Sequence, residues 1–405
     1  MRNPLSFCPL AIFKNPRAGD FHEPTFLKPG GYERARQEIS SWPEYQPTPL
    51  VPLPGLARAA ALSAIWYKDE GSRFGLGSFK ALGGAYAVSR HLIGAIKETT
   101  GATATTADLI DGTYRDLTSK ITVTSATDGN HGRSVAWGAQ MFGCQCVIYI
   151  HAIVSDGRKK TIEDFNAKVV RINGNYDDSV RQAAADAIEF NRQVISDTSY
   201  DGYMETPIHV MYGYGVMASE AVEQLPDIQR PTHVFIQGGC GGLAAAVFAY
   251  LHQCWGKNRP QFIVVEPEIA ACLYASALKG EAVVIPGEMD TMMAGLACGE
   301  ASLLAWQYLS HNADAFITIS DQSAIEAMRA LADGVKGDPP LIAGESAVAG
   351  LAAALVARLD PDQSKLLGLS EDSRILVFGT EGATDPEVYQ RIVGKTAIQV
   401  RQGNA

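Results

Sequence analysis

The sequence predicts an α/β protein made of two open, twisted, mostly parallel domains, the smaller inserted into the larger. Three observations carry that prediction. From Ile121 onward, short apolar runs alternate with amphipathic stretches, the pattern of βαβ units. A first alternating series ends near Ser196 and a second begins at His233, which indicates two sheets. The 405 residues, 46% hydrophobic and 19% charged, suffice for two or three packed units of ordinary size.

In chain order, the first 55 residues carry Pro43, Pro47, Pro49, Pro52 and Pro54 and read as an extended arm leading onto the body. Strand-like runs follow at 121–124, 146–150, 168–172 and 194–196, separated by helix-like stretches at 131–142, 156–167 and 177–193. The second series has strands at 233–236 and 262–265 around a helix at 243–253, and closes with a helix at 345–359 and a strand at 374–378. The smaller domain is therefore expected at 88–196 and the larger at 1–87 and 197–405. No repeat of 20 to 50 residues interrupts this reading.

Charge and composition remove several function classes. Thirty-four Lys and Arg against 44 Asp and Glu leave a net charge of −10 with no basic run, so nucleic acid is not an expected partner. No apolar stretch approaches the roughly 20 residues of a membrane span, and Pro4 and Pro9 interrupt the start where a secretory signal would be unbroken. A cytoplasmic protein is expected. The seven Cys match no zinc or redox spacing, and the eight His show no ligand spacing, so no metal is expected. Cys272 and Cys298, in similar small-residue contexts, either pair or remain single thiols.

Three segments have residue types suited to chemistry. In Gly77-Ser78-Phe79-Lys80-Ala81-Leu82-Gly83-Gly84 a lysine lies between an aromatic and small residues at a helix start. Poor solvation there lowers an amine's pKa and prepares it to condense with an aldehyde, although a lysine snorkelling from a helix fits the same residues. Gly238-Gly239-Cys240-Gly241-Gly242 follows a strand and opens an Ala-rich helix, where backbone N–H groups and the helix dipole attract an anion. An acidic chain needs such local positive potential to bind an anionic cofactor. The spacing is not G-x-G-x-x-G, but Glu266 lies 24 residues after Gly242, so a nicotinamide-dinucleotide reading and a plain structural turn both remain. Ser125-Ala126-Thr127-Asp128-Gly129-Asn130-His131-Gly132 offers hydroxyl, carboxylate and amide groups between strand and helix, either to hold a small polar ligand or to cap the helix through Asp128 or Asn130.

These segments, with Val377-Phe378-Gly379-Thr380-Glu381-Gly382-Ala383-Thr384-Asp385, resemble over nearly the whole chain the fold type II pyridoxal-phosphate enzymes of the tryptophan-synthase β type. Within that group, Tyr67-Lys68-Asp69-Glu70, Arg73-Phe74-Gly75, Phe79-Lys80-Ala81-Leu82-Gly83-Gly84, Ala126-Thr127-Asp128-Gly129-Asn130-His131-Gly132-Arg133 and Gly379-Thr380-Glu381-Gly382 are similar to the diaminopropionate ammonia-lyases.

The resemblance implies pyridoxal 5'-phosphate joined to Lys80, with Phe79 beside the ring and Asn130 on its phenolic oxygen. It implies that Gly238, Gly239, Cys240, Gly241 and Gly242 hold the phosphate and that Thr380 meets the pyridine nitrogen. It places the substrate on Thr127, Asp128, Gly129 and His131, with Asp197 as the second acidic group. Asp128 stands where most dehydratases and β-synthases of this fold carry Ser or Thr. A carboxylate there suits a cationic β-amine better than a hydroxyl. The implied reaction is elimination of both enantiomers of 2,3-diaminopropionate to pyruvate and two ammonia, with Lys80, Asp128 and Asp197 catalytic. A serine or threonine dehydratase or a β-replacement synthase is the alternative on the same scaffold; a nicotinamide oxidoreductase and a non-catalytic binding protein are the others. A homodimer is implied by the resemblance alone, and Glu345, just before a helix, fits a helix-dipole partner.

Overall fold

The computed structural model describes residues 10–19, 22–127, 129–152, 154–226 and 229–403, the side chain of Asp177 excepted. The strands, in chain order, are β1 (Ala11–Lys14), β2 (Leu50–Pro52), β3 (Ala64–Asp69), β4 (Thr122–Ala126), β5 (Gln145–Ile150), β6 (Lys168–Arg171), β7 (Gln193–Val194), β8 (His233–Gln237), β9 (Gln261–Pro267), β10 (Ala315–Ile319) and β11 (Arg374–Gly379). They form two sheets in two compact units. One unit comprises the chain up to Phe26, Pro47–Ser72 and everything from Met217; the other comprises Leu27–Gln46 and Arg73–Val216.

The larger unit is built on a seven-stranded sheet of order β1-β10-β9-β8-β11-β3-β2. Its interior pairs are parallel, while β1 and β2 close the two edges antiparallel. β8 and β10 are buried along their whole length, as expected of parallel strands covered on both faces. Helix Ala349–Leu359 contributes an almost wholly buried AGLAAALVA run to the core, together with Phe235, Ile263 and Ile317. The smaller unit has a four-stranded parallel sheet of order β6-β5-β4-β7. Its helices Lys80–Thr100 and Asn130–Phe142 pack against each other. A Cβ on Gly138 would lie 2.7 Å from Ala85 Cα, so the glycine permits that close approach.

The α/β class, with mostly parallel sheets, is as expected. Both alternating series are present, with some helix ends shorter than their pattern suggested. The 156–167 stretch stops at Glu163 because Asn166 takes a left-handed φ of 59°, and 177–193 stops at Glu189 before Asn191 at 50°. The last core helix starts at Ala349, not 345, because the Ser346 N–H is bonded to the Glu381 side chain at 3.2 Å.

Two expectations are corrected. The first 55 residues are not an arm: they supply both edge strands of the large sheet, β1 pairing with β10 and β2 with β3, and the helix Gly31–Ser40 of the smaller unit. The smaller unit also reaches beyond 88–196, because helix Lys80–Thr100 is continuous and packs on Asn130–Phe142.

Candidate active site

The residues singled out in the sequence fall into two groups, one in each unit. In the smaller unit, Lys80 is the first residue of helix Lys80–Thr100, with Phe79 at the N-cap. Its side chain is 21% exposed, and Nζ is hydrogen-bonded to Asp197 Oδ2. The Phe79 and Tyr214 ring centroids lie 5.3 and 5.8 Å from Nζ and 4.6 Å from each other. The lysine is thus set among aromatic rings, as its sequence context suggests, but it has an ion-pair partner and does not merely snorkel.

Asp197 lies just beyond β7. Burial alone would raise its pKa, but the Lys80 ammonium, the His131 ring and the hydrogen bond from Lys80 together hold the carboxyl well below the usual carboxylate range. His131 Nδ1 stands 3.8 Å from Asp197 Oδ2. The other ring nitrogen, Nε2, lies 2.9 Å from the Ile195 carbonyl, which requires a hydrogen on Nε2 and leaves Nδ1 toward Asp197.

β4 ends at Ala126, and the turn after it opens helix Asn130–Phe142. Thr127 is buried, and its Oγ1 accepts the Gly129 and Gly132 N–H groups at 3.0 and 3.1 Å. Its acceptor side shapes the turn. Asp128 lies outside the described residues. Gly129 is the N-cap, and the Gly132 N–H of the first turn ends on Thr127 Oγ1; Asn130 takes the first helical position.

The second group belongs to the larger unit. β8 runs into Gly238–Gly242, where Gly239 and Gly241 have φ of 56° and 94°, and helix Gly242–Trp255 follows. Gly241 is the N-cap and no side chain caps the helix, so its first-turn N–H groups point into an anion-attracting helix start. Thr380 follows β11, is buried, and receives Gln237 Nε2 at 3.4 Å. Gln237 Nε2 also donates to the Phe378 and Ala347 carbonyls, each at 2.8 Å, which fixes the orientation of the amide.

In the smaller unit an amine in a half-buried aromatic setting suits an aldehyde, and in the larger unit a glycine turn at an uncapped helix start suits a phosphate; pyridoxal phosphate carries both groups. Glu266 does not fit a dinucleotide: it is fully buried, and its two oxygens accept the Leu273 and Tyr274 N–H groups at 2.9 and 2.7 Å, leaving nothing for a ribose. Glu345 is buried four residues before helix Ala349–Leu359. Cys272 and Cys298 are both free thiols. Among the described residues no group of three or more His, Cys, Asp or Glu is placed to hold a metal, and no helix is long and apolar enough to cross a membrane.

Tyr214 and Gln237 escaped the sequence reading. Tyr214 reaches Lys80 from 134 positions away and carries no local motif. Gln237 directly precedes the glycine turn, and a polar residue ending an apolar strand was the available signal.

The family pattern of pyridoxal-phosphate dependent enzymes matches residues 42–379. The chain is 38% identical over 374 residues to the diaminopropionate ammonia-lyase of Escherichia coli strain K12, an alignment covering 90% of this chain and 92% of that one. The crystal structure of the holo diaminopropionate ammonia-lyase of Escherichia coli superimposes with a TM-score of 0.89 at 35% identity, covering 98% of this chain and all of the other. The same enzyme in complex with D-serine gives a TM-score of 0.87 at 35% identity, over 97% and 100% of the two chains. With a fold type II scaffold and these relatives, the chain belongs to the diaminopropionate ammonia-lyase family of pyridoxal-phosphate dependent enzymes.

Proposed function

We propose that the protein eliminates ammonia from both L- and D-2,3-diaminopropionate, giving pyruvate and a second ammonia with uptake of one water. The observation that carries this reading is the Asp197 carboxylate on Lys80 Nζ. A carboxylate held ionised beside the reacting amine suits a substrate whose leaving group is a cationic amine, whereas the hydroxyl of serine needs no such partner. When bound, the cofactor supplies the electron sink that makes the Cα proton acidic.

The remaining chemistry falls to the chain's own residues. Asn130 and Phe79 orient the ring, the Gly238–Gly242 turn holds the phosphate, and Thr380 offers the ring nitrogen a neutral hydroxyl, which makes a milder sink than a carboxylate would. Elimination tolerates a mild sink because the electrons leave with the β-amine. Thr127, Asp128, Gly129 and His131 receive the substrate. The two enantiomers expose their Cα hydrogens on opposite faces, so one base cannot serve both. Lys80 Nζ takes the proton of the L form and the Asp128 carboxylate that of the D form; Asp197 binds the β-amine or assists the transfer. Opposition of Asp128 to the substrate carboxylate is offset by attraction to that amine. The protein works in the cytoplasm as a homodimer, a reading supported by its family.

The test follows pyruvate from L- and D-2,3-diaminopropionate and from L-serine. Pyruvate from both diaminopropionate enantiomers with serine much poorer is expected; pyruvate mainly from serine makes the protein a dehydratase. Asp128→Asn is expected to depress turnover of the D form selectively. Equal loss on both enantiomers defeats the two-base assignment.

A further inference from the structure

Glu266 and Cys272 take no part in the reaction above, yet they meet beneath the glycine turn of the larger unit. Each of the turn's first three carbonyls has a partner. Gly238 O accepts the Gly241 N–H at 3.0 Å, Cys240 O accepts the Ser302 N–H at 2.9 Å, and Gly239 O accepts the Cys272 thiol at 3.6 Å. A peptide unit is planar and trans, so a carbonyl fixed on one side turns the N–H of the next residue the opposite way. The Cys272 thiol therefore sets the direction of the Cys240 N–H. It is the side chain in this set; the other two donors are backbone groups.

Cys272 is itself held by Glu266. It opens helix Cys272–Lys279, and the N–H groups of the next two residues, Leu273 and Tyr274, end on the Glu266 carboxyl. The same side chain fills the space under the turn: a Cβ on Gly238 would lie 2.7 Å from Glu266 Cγ and 3.1 Å from Leu273 Cδ1. Burial pushes the Cys272 thiol far up, so it remains a protonated donor at any working pH.

We propose that Glu266 and Cys272 are positioning residues that fix the peptide orientation of the Gly238–Gly242 turn for the cofactor's phosphate, an inference that rests on assigning that turn to phosphate.

The full-length protein, freed of cofactor, is titrated with pyridoxal phosphate and with pyridoxal, which lacks the phosphate. The wild type is expected to bind the phosphorylated form far more tightly. If it binds both alike, the turn is not the phosphate site, and the assignment falls together with this inference. Given that discrimination, Cys272→Ala is expected to weaken pyridoxal phosphate about 5- to 10-fold, the effect of one lost hydrogen bond, and pyridoxal by less than about 2-fold. Cys272→Ser, which restores a donor, is expected to recover most of the loss, and Glu266→Gln to shift the ratio in the same direction as Cys272→Ala. Equal weakening of both ligands, or a serine variant no better than alanine, overturns the positioning role while leaving the phosphate site intact. Should Cys272→Ala not fold, Cys272→Val, which fills the space without a donor, takes its place against Cys272→Ser.

Discussion

Lys80 Nζ and Asp197 Oδ2 are hydrogen-bonded across 117 positions of the sequence, within the smaller unit and beside the rings of Phe79 and Tyr214. The pair keeps a carboxylate at the amine proposed to carry the cofactor. Asp197→Asn retains the shape and removes the charge. Turnover of diaminopropionate is expected to fall roughly 100-fold or more, in the range usual for a lost acid–base or charge partner. Cofactor absorbance is expected to persist in that variant and to vanish in Lys80→Ala. Turnover within a fewfold of wild type in Asp197→Asn sinks the assignment.

The same carboxyl gives a pH dependence of stability. Its folded pKa lies below the unfolded value near 4, so it contributes stability that is present above that value and lost as pH falls. Denaturant titrations from pH 6 to pH 3 are expected to show wild type losing about 1 kcal/mol per pH unit more than Asp197→Asn once pH drops below about 4. Parallel curves for the two proteins contradict the ion pair.

Glu266 has the opposite sign. Burial raises its carboxyl to about 8, against the lowering effect of the Leu273 and Tyr274 N–H groups. The native state then holds a proton that the unfolded chain has released, so the contribution is complete below about 4.5 and declines as pH rises toward 8. Between pH 5.5 and 7.5, wild type is expected to lose about 1 kcal/mol per pH unit relative to Glu266→Gln. The measurement is urea unfolding of both proteins across that window, and a flat difference refutes the raised value.

Gly241 sits at φ 94°, and a Cβ there would lie 2.9 Å from the Ala305 Cβ and 3.2 Å from Leu309 Cδ1. Both backbone strain and collision oppose any side chain. Gly241→Ala is expected to cost about 1–3 kcal/mol of stability and to release the cofactor readily. Gel filtration followed by absorbance of the protein peak reads the second effect; full retention of cofactor sinks it.

The features legible in the sequence were those that local pattern decides. Apolar runs such as HVFIQ at β8 and RILVFG at β11 become buried parallel strands because both faces are covered, and the glycine turn after β8 announces itself by composition. The lysine context around Lys80 was equally local. Asp197 is different, since only resemblance singles it out; its partner is more than a hundred residues away. The same limit explains the supposed arm: proline marks an extended chain, but nothing near Ala11 indicates that it pairs with Thr318. For Glu266 the spacing suggested a ribose partner, and burial together with two backbone N–H groups assigned it to the helix start instead.

Lys68 and Glu220 form an ion pair at 2.7 Å with both side chains fully buried, and the surrounding polar groups are shared between them. Lys68 Nζ also donates to the Thr48 carbonyl at 2.5 Å; the Thr48 N–H donates to Glu220 at 3.1 Å, and the Thr48 hydroxyl to Glu70 at 2.5 Å. The knot ties the strand β3 to its neighbours in the larger unit just before the chain leaves it at Ser72. Removing one partner strands a charge in a medium that cannot solvate it, so Lys68→Met is expected to cost about 3–5 kcal/mol. Replacing both, Lys68→Met with Glu220→Leu, removes the stranded charge and is expected to recover a large part of that loss. Thermal or urea unfolding of the two single variants and the double variant closes the cycle. If the double variant is as unstable as the sum of the singles, the charges are not coupled, and the role of the pair in securing β3 is wrong.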